Sequence, residues 1–170
     1  AVLAAARELE RSGVEVVRIP VDAEGLLDLD ALERALSVPT ALVSIMAVNN
    51  ETGIVHPIDE VVRIARAAST PVHVDAVQAV GKIAFSCDAD LIACSGHKLG
   101  ALAGVGALLV RRDHPLASMM FGGPQERGRR AGTENPIAAA SLVCALELAL
   151  LEREAETPRL FALRARIEAC

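Results

Sequence analysis

Residues 88–110 read DADLIACSGHKLGALAGVGALLV, and the fold turns on how they are divided. ADLIACS is short, apolar and β-like, and VGALLVRR is a second run opened by the glycine turn Gly104–Gly106. Both read as strands. Between them stands Lys98, a residue type seldom fully buried. Taken alone, Lys98 is an exposed turn residue or one whose head snorkels to water. The sharper reading is an amine held in a pocket to form a Schiff base with a carbonyl compound.

Working outward, strand and helix patterns alternate. Ala1 to Arg11 reads as a helix closed by Gly13, and VEVVRIPV as a strand. Asp28 caps a helix running to about Leu36, with Asp30 and Glu33 in its early turns. TALVSIMAV is nearly continuous in apolar residues and reads as a strand buried on both faces. The loop NNETGIVHP, a helix from about Ile58 to Ala68 and the strand PVHVDAV follow. FGGPQERGRRAGTENP is a long polar loop. A helix starts at Pro136 and runs to about Glu154, with Pro158 expected to kink or restart it. The alternation implies βαβ units and an α/β fold, a mostly parallel mixed sheet with flanking helices. The short connections among the later strands leave room for an antiparallel part.

The 170 residues suffice for one domain with a substantial core, at 52% hydrophobic content. The formal charge is -5 and no stretch is densely basic, so neither nucleic acid nor an anionic membrane is expected as a partner. The arginines of ERGRRAGT suit a small anion better. No transmembrane span or signal peptide is expected. Cys87, Cys94, Cys144 and Cys170 lack metal-ligand spacing and read as reduced thiols in a cytoplasmic protein; no metal site is expected. The chain opens and closes inside helical patterns without caps, and reads as an internal piece of a longer protein.

In open α/β sheets, ligands bind beyond the carboxyl ends of the strands. Asn49, Asn50 and Glu51 follow one strand there, Asp75 ends another with Gln78 three residues on, and Ser95, Gly96, His97 and Lys98 follow a third. A pyridoxal phosphate site asks for such a set: an amine for the aldehyde, a carboxylate at the ring nitrogen, a donor to the phenolic oxygen, and polar groups for the phosphate. Lys98, Asp75, Gln78 or Asn50, and Ser95 with His97 can fill these roles. Singly each has a plain alternative as a cap, a turn residue or a solvated amide. Jointly an accident is harder to sustain. His56, His73 and His114 read as structural, although His73 alternates with Asp75 and shares its face.

VSIMAVNNETG, HVDAVQAVGK, CSGHKLG and ERGRRAGTEN resemble the cysteine desulfurases, within the class V aminotransferase-like group of fold-type I pyridoxal phosphate enzymes. The four motifs stand in the family's order along essentially the whole chain. The resemblance implies that Lys98 binds pyridoxal 5'-phosphate covalently, Asp75 pairs with the pyridine nitrogen, and Gln78 hydrogen-bonds the phenolic oxygen with Asn50 nearby. Ser95 and His97 would bind the phosphate, and Thr133 would reach the phosphate in the partner subunit of a homodimer. Residues 1–155 would be the cofactor-binding large domain, incomplete at its start, and 156–170 the start of the helix leading to a small domain. The implied reaction converts L-cysteine to L-alanine, with sulfur passed to an enzyme cysteine as a persulfide and then to a sulfur-acceptor or scaffold protein, as in iron–sulfur cluster assembly.

Three departures matter, the first being that the family's glycine/threonine phosphate loop and the histidine that stacks on the ring are expected upstream of Ala1. None of the four cysteines matches the family's acceptor, which lies on a loop beyond this chain, so no catalytic cysteine is assigned. LGALAGVG also differs from the commoner form, which has a proline and a second lysine. The isolated chain is expected to bind cofactor weakly or not at all and to be inactive. The competing readings are a selenocysteine lyase or another enzyme of the same group, and a non-catalytic dimerising scaffold. The scaffold would be expected to lose Lys98 or Asp75, and both are present. A nucleotide-binding domain lacks its glycine-rich strand–turn–helix fingerprint.

Overall fold

The computed structural model describes residues 2–169. Its main elements are α1 (Val2–Arg11), α2 (Leu29–Ala35), β1 (Val43–Met46), α3 (Ile58–Ala67), β2 (Val72–Asp75), β3 (Leu91–Ser95), β4 (Gly106–Val110) and α4 (Pro136–Glu168). The four strands hydrogen-bond in sequence order, β1-β2-β3-β4. β1 and β2 run parallel, paired from Val43 with Val72 to Met46 with Asp75. The chain divides into two compact units, Ala1–Gln78 with Ser86–Ile92, and Ala79–Phe85 with Ala93–Cys170.

In the first unit, α3 follows its sequence pattern. Ile58, Val61, Val62, Ile64 and Ala65 are buried, while Asp59, Glu60, Arg63 and Arg66 stay exposed. That is the apolar stripe of a 3.6-residue period. β2 shows the two-residue period instead: Val72 and Val74 are buried, and His73 and Asp75 are half-buried on the other face. Asp28 caps α2 as expected, its Oδ1 accepting from Ala31 N at 2.8 Å.

Two strand expectations change. VEVVRIPV forms no strand; Val17 is 59% exposed, and an isolated bridge joins Val21 to Leu27. Among the described residues no neighbouring strand offers this segment a ladder, and β propensity cannot replace one. β1 is not buried on both faces: Ser44 is exposed and its other residues are half-buried. Its place at the end of the strand order explains this, since an edge strand has one neighbour.

In the second unit, α4 does not end near Glu154 but continues through Pro158 to Glu168. Residues 150–168 are rich in Leu, Ala, Arg and Glu, whose helix propensities favour continuation past the proline. The helix begins at Asn135, whose Oδ1 accepts from Ala138 N at 3.0 Å, with Pro136 in the first turn. The polar loop before it is ordered around a short 3-10 turn, Gln125–Gly128. Among the described residues no helix is long and apolar enough to cross a membrane.

Candidate active site

The first unit gathers its polar residues at the carboxyl ends of β1 and β2. Asp75 closes β2 opposite Met46, and Ala47 N donates to Asp75 O at 2.9 Å. The Asp75 side chain turns back on its own chain, Oδ1 accepting from Val77 N at 3.1 Å. This fixes the carboxylate at the strand's end. Gln78 lies three residues on and is half-buried. After β1, Asn49 acts as the turn-former: its Oδ1 accepts from Glu51 N at 2.9 Å and Thr52 N at 3.1 Å. Asn50 is thereby left exposed in the turn.

His73 pairs with Ser44 Oγ through Nδ1 at 2.8 Å. Burial holds its pKa below the ordinary value, and the Asp75 carboxylate partly offsets this. Burial lowers His56 too, and its Nδ1 is buried without a hydrogen-bond partner. Both imidazoles therefore resist protonation in the folded chain, whereas the unfolded chain takes up protons near pH 6.5. Stability is full above that value and falls as pH drops below it, because the unfolded state then binds more protons. The urea midpoint is expected to decline from pH 7.5 to 5.5, and His73→Gln to flatten part of the slope. A midpoint independent of pH across that window would refute the assignment.

Burial also pushes the Cys87 thiol up, against a hydrogen bond from Ala89 and together with the charges of Asp59 and Asp88. A raised thiol is a poor nucleophile at neutral pH. Cys94 is half-buried and Cys144 exposed, and both are free; Cys170 lies outside the described residues.

The second unit holds the amine. β3 ends at Ser95 and passes straight into a 3-10 turn, Gly96–Lys98. Gly96 N donates to Val105 O at 2.9 Å, and Gly96 O accepts from Leu99 N and Ala101 N. A Cβ at Gly96 would lie 2.7 Å from Val105 Cγ1 and 3.1 Å from Val105 O, so only glycine allows this approach. Ser95 Oγ and His97 Nδ1 are 2.9 Å apart. With Nδ1 engaged, the imidazole keeps Nε2 for a ligand. Lys98 is exposed, in a turn rather than a core.

Lys82 was not singled out from the sequence. Its pKa is lowered, by burial first and then by the charge of Lys98. Backbone packing brings its segment toward the turn: a Cβ at Gly81 would lie 2.7 Å from Leu99 Cδ2 and 2.9 Å from Ala149 Cβ. Gly81 also has φ +74°. Arg153 Nη1 further ties α4 to Ile83 O at 3.3 Å. Gly81→Ala combines overpacking with a left-handed backbone and is expected to destabilise by about 2–4 kcal/mol in urea unfolding. A change under about 0.5 kcal/mol would contradict this packing.

Thr133 is exposed, between Gly132 and the cap Asn135. Thus Ser95, His97 and Lys98 are adjacent on one turn, Asp75 ends a strand, and Asn50 and Thr133 occupy exposed loop positions. Among the described residues no three His, Cys, Asp or Glu side chains form a metal-binding group.

The profile of the family described as "Aminotransferase class-V" matches residues 1–159. A cysteine desulfurase of Gluconacetobacter diazotrophicus is 49% identical over 99% of this chain, which spans 43% of that relative's length. A solved structure described as a "NifS-like protein" superposes with a TM-score of 0.94 at 38% identity, covering 99% of this chain and 47% of the other. Another, "SspA in complex with cysteine", has a TM-score of 0.82 at 35% identity and covers 86% and 44% respectively.

Proposed function

Since this chain belongs to the class V aminotransferase family, whose members depend on pyridoxal 5'-phosphate, we propose that it is part of a cysteine desulfurase. The whole protein converts L-cysteine to L-alanine and passes the sulfur to an enzyme thiol. The observation that carries this reading is the turn after β3, where a hydroxyl–imidazole pair at 2.9 Å immediately precedes an exposed amine. The desulfurase and the cysteine-bound relative support the substrate class.

The donor set fits the cofactor by its chemistry. Asp75, whose Oδ1 is already fixed by Val77 N, supplies a carboxylate for the protonated ring nitrogen. Gln78 donates to the phenolic oxygen, and Asn50 stands by the substrate. Ser95 and His97 would take the phosphate, donating through whichever of the Ser95 hydroxyl and His97 Nε2–H their mutual bond leaves free. Lys98 would hold the aldehyde, and its amine is the base placed to move the proton at the substrate α-carbon. When bound, the cofactor supplies the electron sink that makes that proton labile. Thr133 serves the phosphate in the partner of a homodimer. Met119 and Phe121, which lead into its loop, are 92% and 90% exposed, an apolar pair suited to cover by a second copy.

Residues 1–155 then belong to the cofactor-binding large domain, and 156–170 begin the connection to a small domain. The persulfide product serves a sulfur-acceptor or scaffold protein, including iron–sulfur cluster assembly, in the cytoplasm. The test is the full-length protein with pyridoxal 5'-phosphate and L-cysteine, assayed for alanine and protein persulfide in equal amounts. No alanine above background would sink the proposal. Release from selenocysteine but not cysteine would replace it with a selenocysteine lyase.

A further inference from the structure

The loop that carries Thr133 is held by its own side chains. Gly132 N donates to Gln125 Oε1 at 3.3 Å, and Gly132 O accepts from Arg130 Nη1 at 3.4 Å. Ala131 beside it is buried, its N–H donating to Met120 O at 3.2 Å. On the other side, Asn135 is anchored as the cap of α4. Thr133 therefore sits between two fixed points, although it is itself exposed.

Closing the loop has a backbone consequence. Glu126 and Arg127 occupy the left-handed region, at φ 48° and φ 59°. Two consecutive side-chain-bearing residues rarely adopt it unless their surroundings impose it. They immediately follow Gln125, whose amide folds back over Gly123. A Cβ at Gly123 would lie 2.6 Å from Gln125 Oε1 and 2.9 Å from Nε2. Gly123 thus leaves the space in which the amide reaches Gly132.

We propose that Gln125 is a positioning residue for Thr133, its side-chain amide fixing the Gly132 peptide so that the threonine hydroxyl is presented to the cofactor phosphate. This rests on the phosphate role given to Thr133 above. On this reading Gln125 acts through the Gly132 N–H rather than on substrate or cofactor. Its effect on binding should therefore vanish when Thr133 can no longer bind.

The experiment reconstitutes the full-length apo protein with pyridoxal 5'-phosphate and measures Kd by absorbance. Thr133→Val is expected to weaken binding about 10-fold or more, through loss of a hydrogen bond to a charged group. Gln125→Leu should weaken it about 5-fold. Gly123→Ala should match Gln125→Leu, because the added methyl evicts only the free end of a flexible side chain. The double variant Gln125→Leu/Thr133→Val should bind no more weakly than Thr133→Val alone. Independently of cofactor, Gly132 amide hydrogen exchange should quicken about 5-fold in Gln125→Leu and Gly123→Ala. It should stay slow in Gln125→Glu, which keeps the acceptor. Additive losses in the double variant, or Gly132 exchange unchanged in Gln125→Leu, would overturn the inference alone. A Thr133→Val variant that binds like wild type would overturn the phosphate role and this inference together.

Discussion

Lys98→Ala in the full-length protein is expected to abolish the visible absorbance of the lysine-bound cofactor and to lower kcat/KM for cysteine by at least about 10³-fold. The reasoning separates chemistry from folding. The turn that carries Lys98 is held by backbone bonds, Leu99 and Ala101 donating to Gly96 O, and by the packing of Gly96 against Val105. The Lys98 side chain is exposed and contributes little to the core. Far-UV circular dichroism and the urea midpoint of the apo protein should therefore stay within error of apo wild type. Lys98→Arg sharpens the test. It keeps a positive charge at the position but cannot lose its proton, and it should be as inactive as alanine. An arginine variant with wild-type turnover would show that only charge mattered at this turn. Lys82 supplies a second readout: with the Lys98 charge gone in the alanine variant, its titration should move up.

Asp75→Asn carries the next largest effect, a fall in kcat of about 10²–10³-fold. The substitution is nearly isosteric, and its amide oxygen can still accept from Val77 N, so β2 and its pairing with β1 should persist. On the proposed role, what disappears is the negative charge that would keep the ring nitrogen protonated. A reading independent of the cofactor comes from His73. The Asp75 carboxylate raises the His73 pKa against burial. In Asp75→Asn the imidazole should titrate at lower pH by nuclear magnetic resonance. An unchanged His73 titration would contradict the shared face of the two residues, and undiminished turnover would contradict the proposed partner of the ring nitrogen.

How far these features could be read in the chain depended on how local their causes are. The burial alternation of β2, the apolar stripe of α3 and the Asp28 cap depend on neighbours within a few residues, and each appears as expected. VEVVRIPV looked equally strand-like, but a strand also needs a distant ladder partner, which no local pattern announces. The half-buried state of β1 follows from its edge position, again a property of topology. Pro158 misled in the opposite direction: its local penalty of about 3 kcal/mol argued for a break, yet the helix formers around it prevail. Residue type and position mark Asp75, Ser95, His97 and Lys98 as candidates, and the structure puts them at the end of β2, the end of β3 and the turn that follows it. Gln125 escaped notice because its meaning arises only when the loop closes on Gly132 seven residues later.

Pro158 has one more consequence. Without an amide proton it leaves the Glu154 carbonyl without its helical donor, while the Thr157 hydroxyl grips the Arg153 carbonyl at 2.7 Å. A rod notched in this way yields there first when twisted from its far end. Arg153, which bonds the Ile83 carbonyl, lies just before the notch, so bending at Pro158 is expected to leave that tie in place.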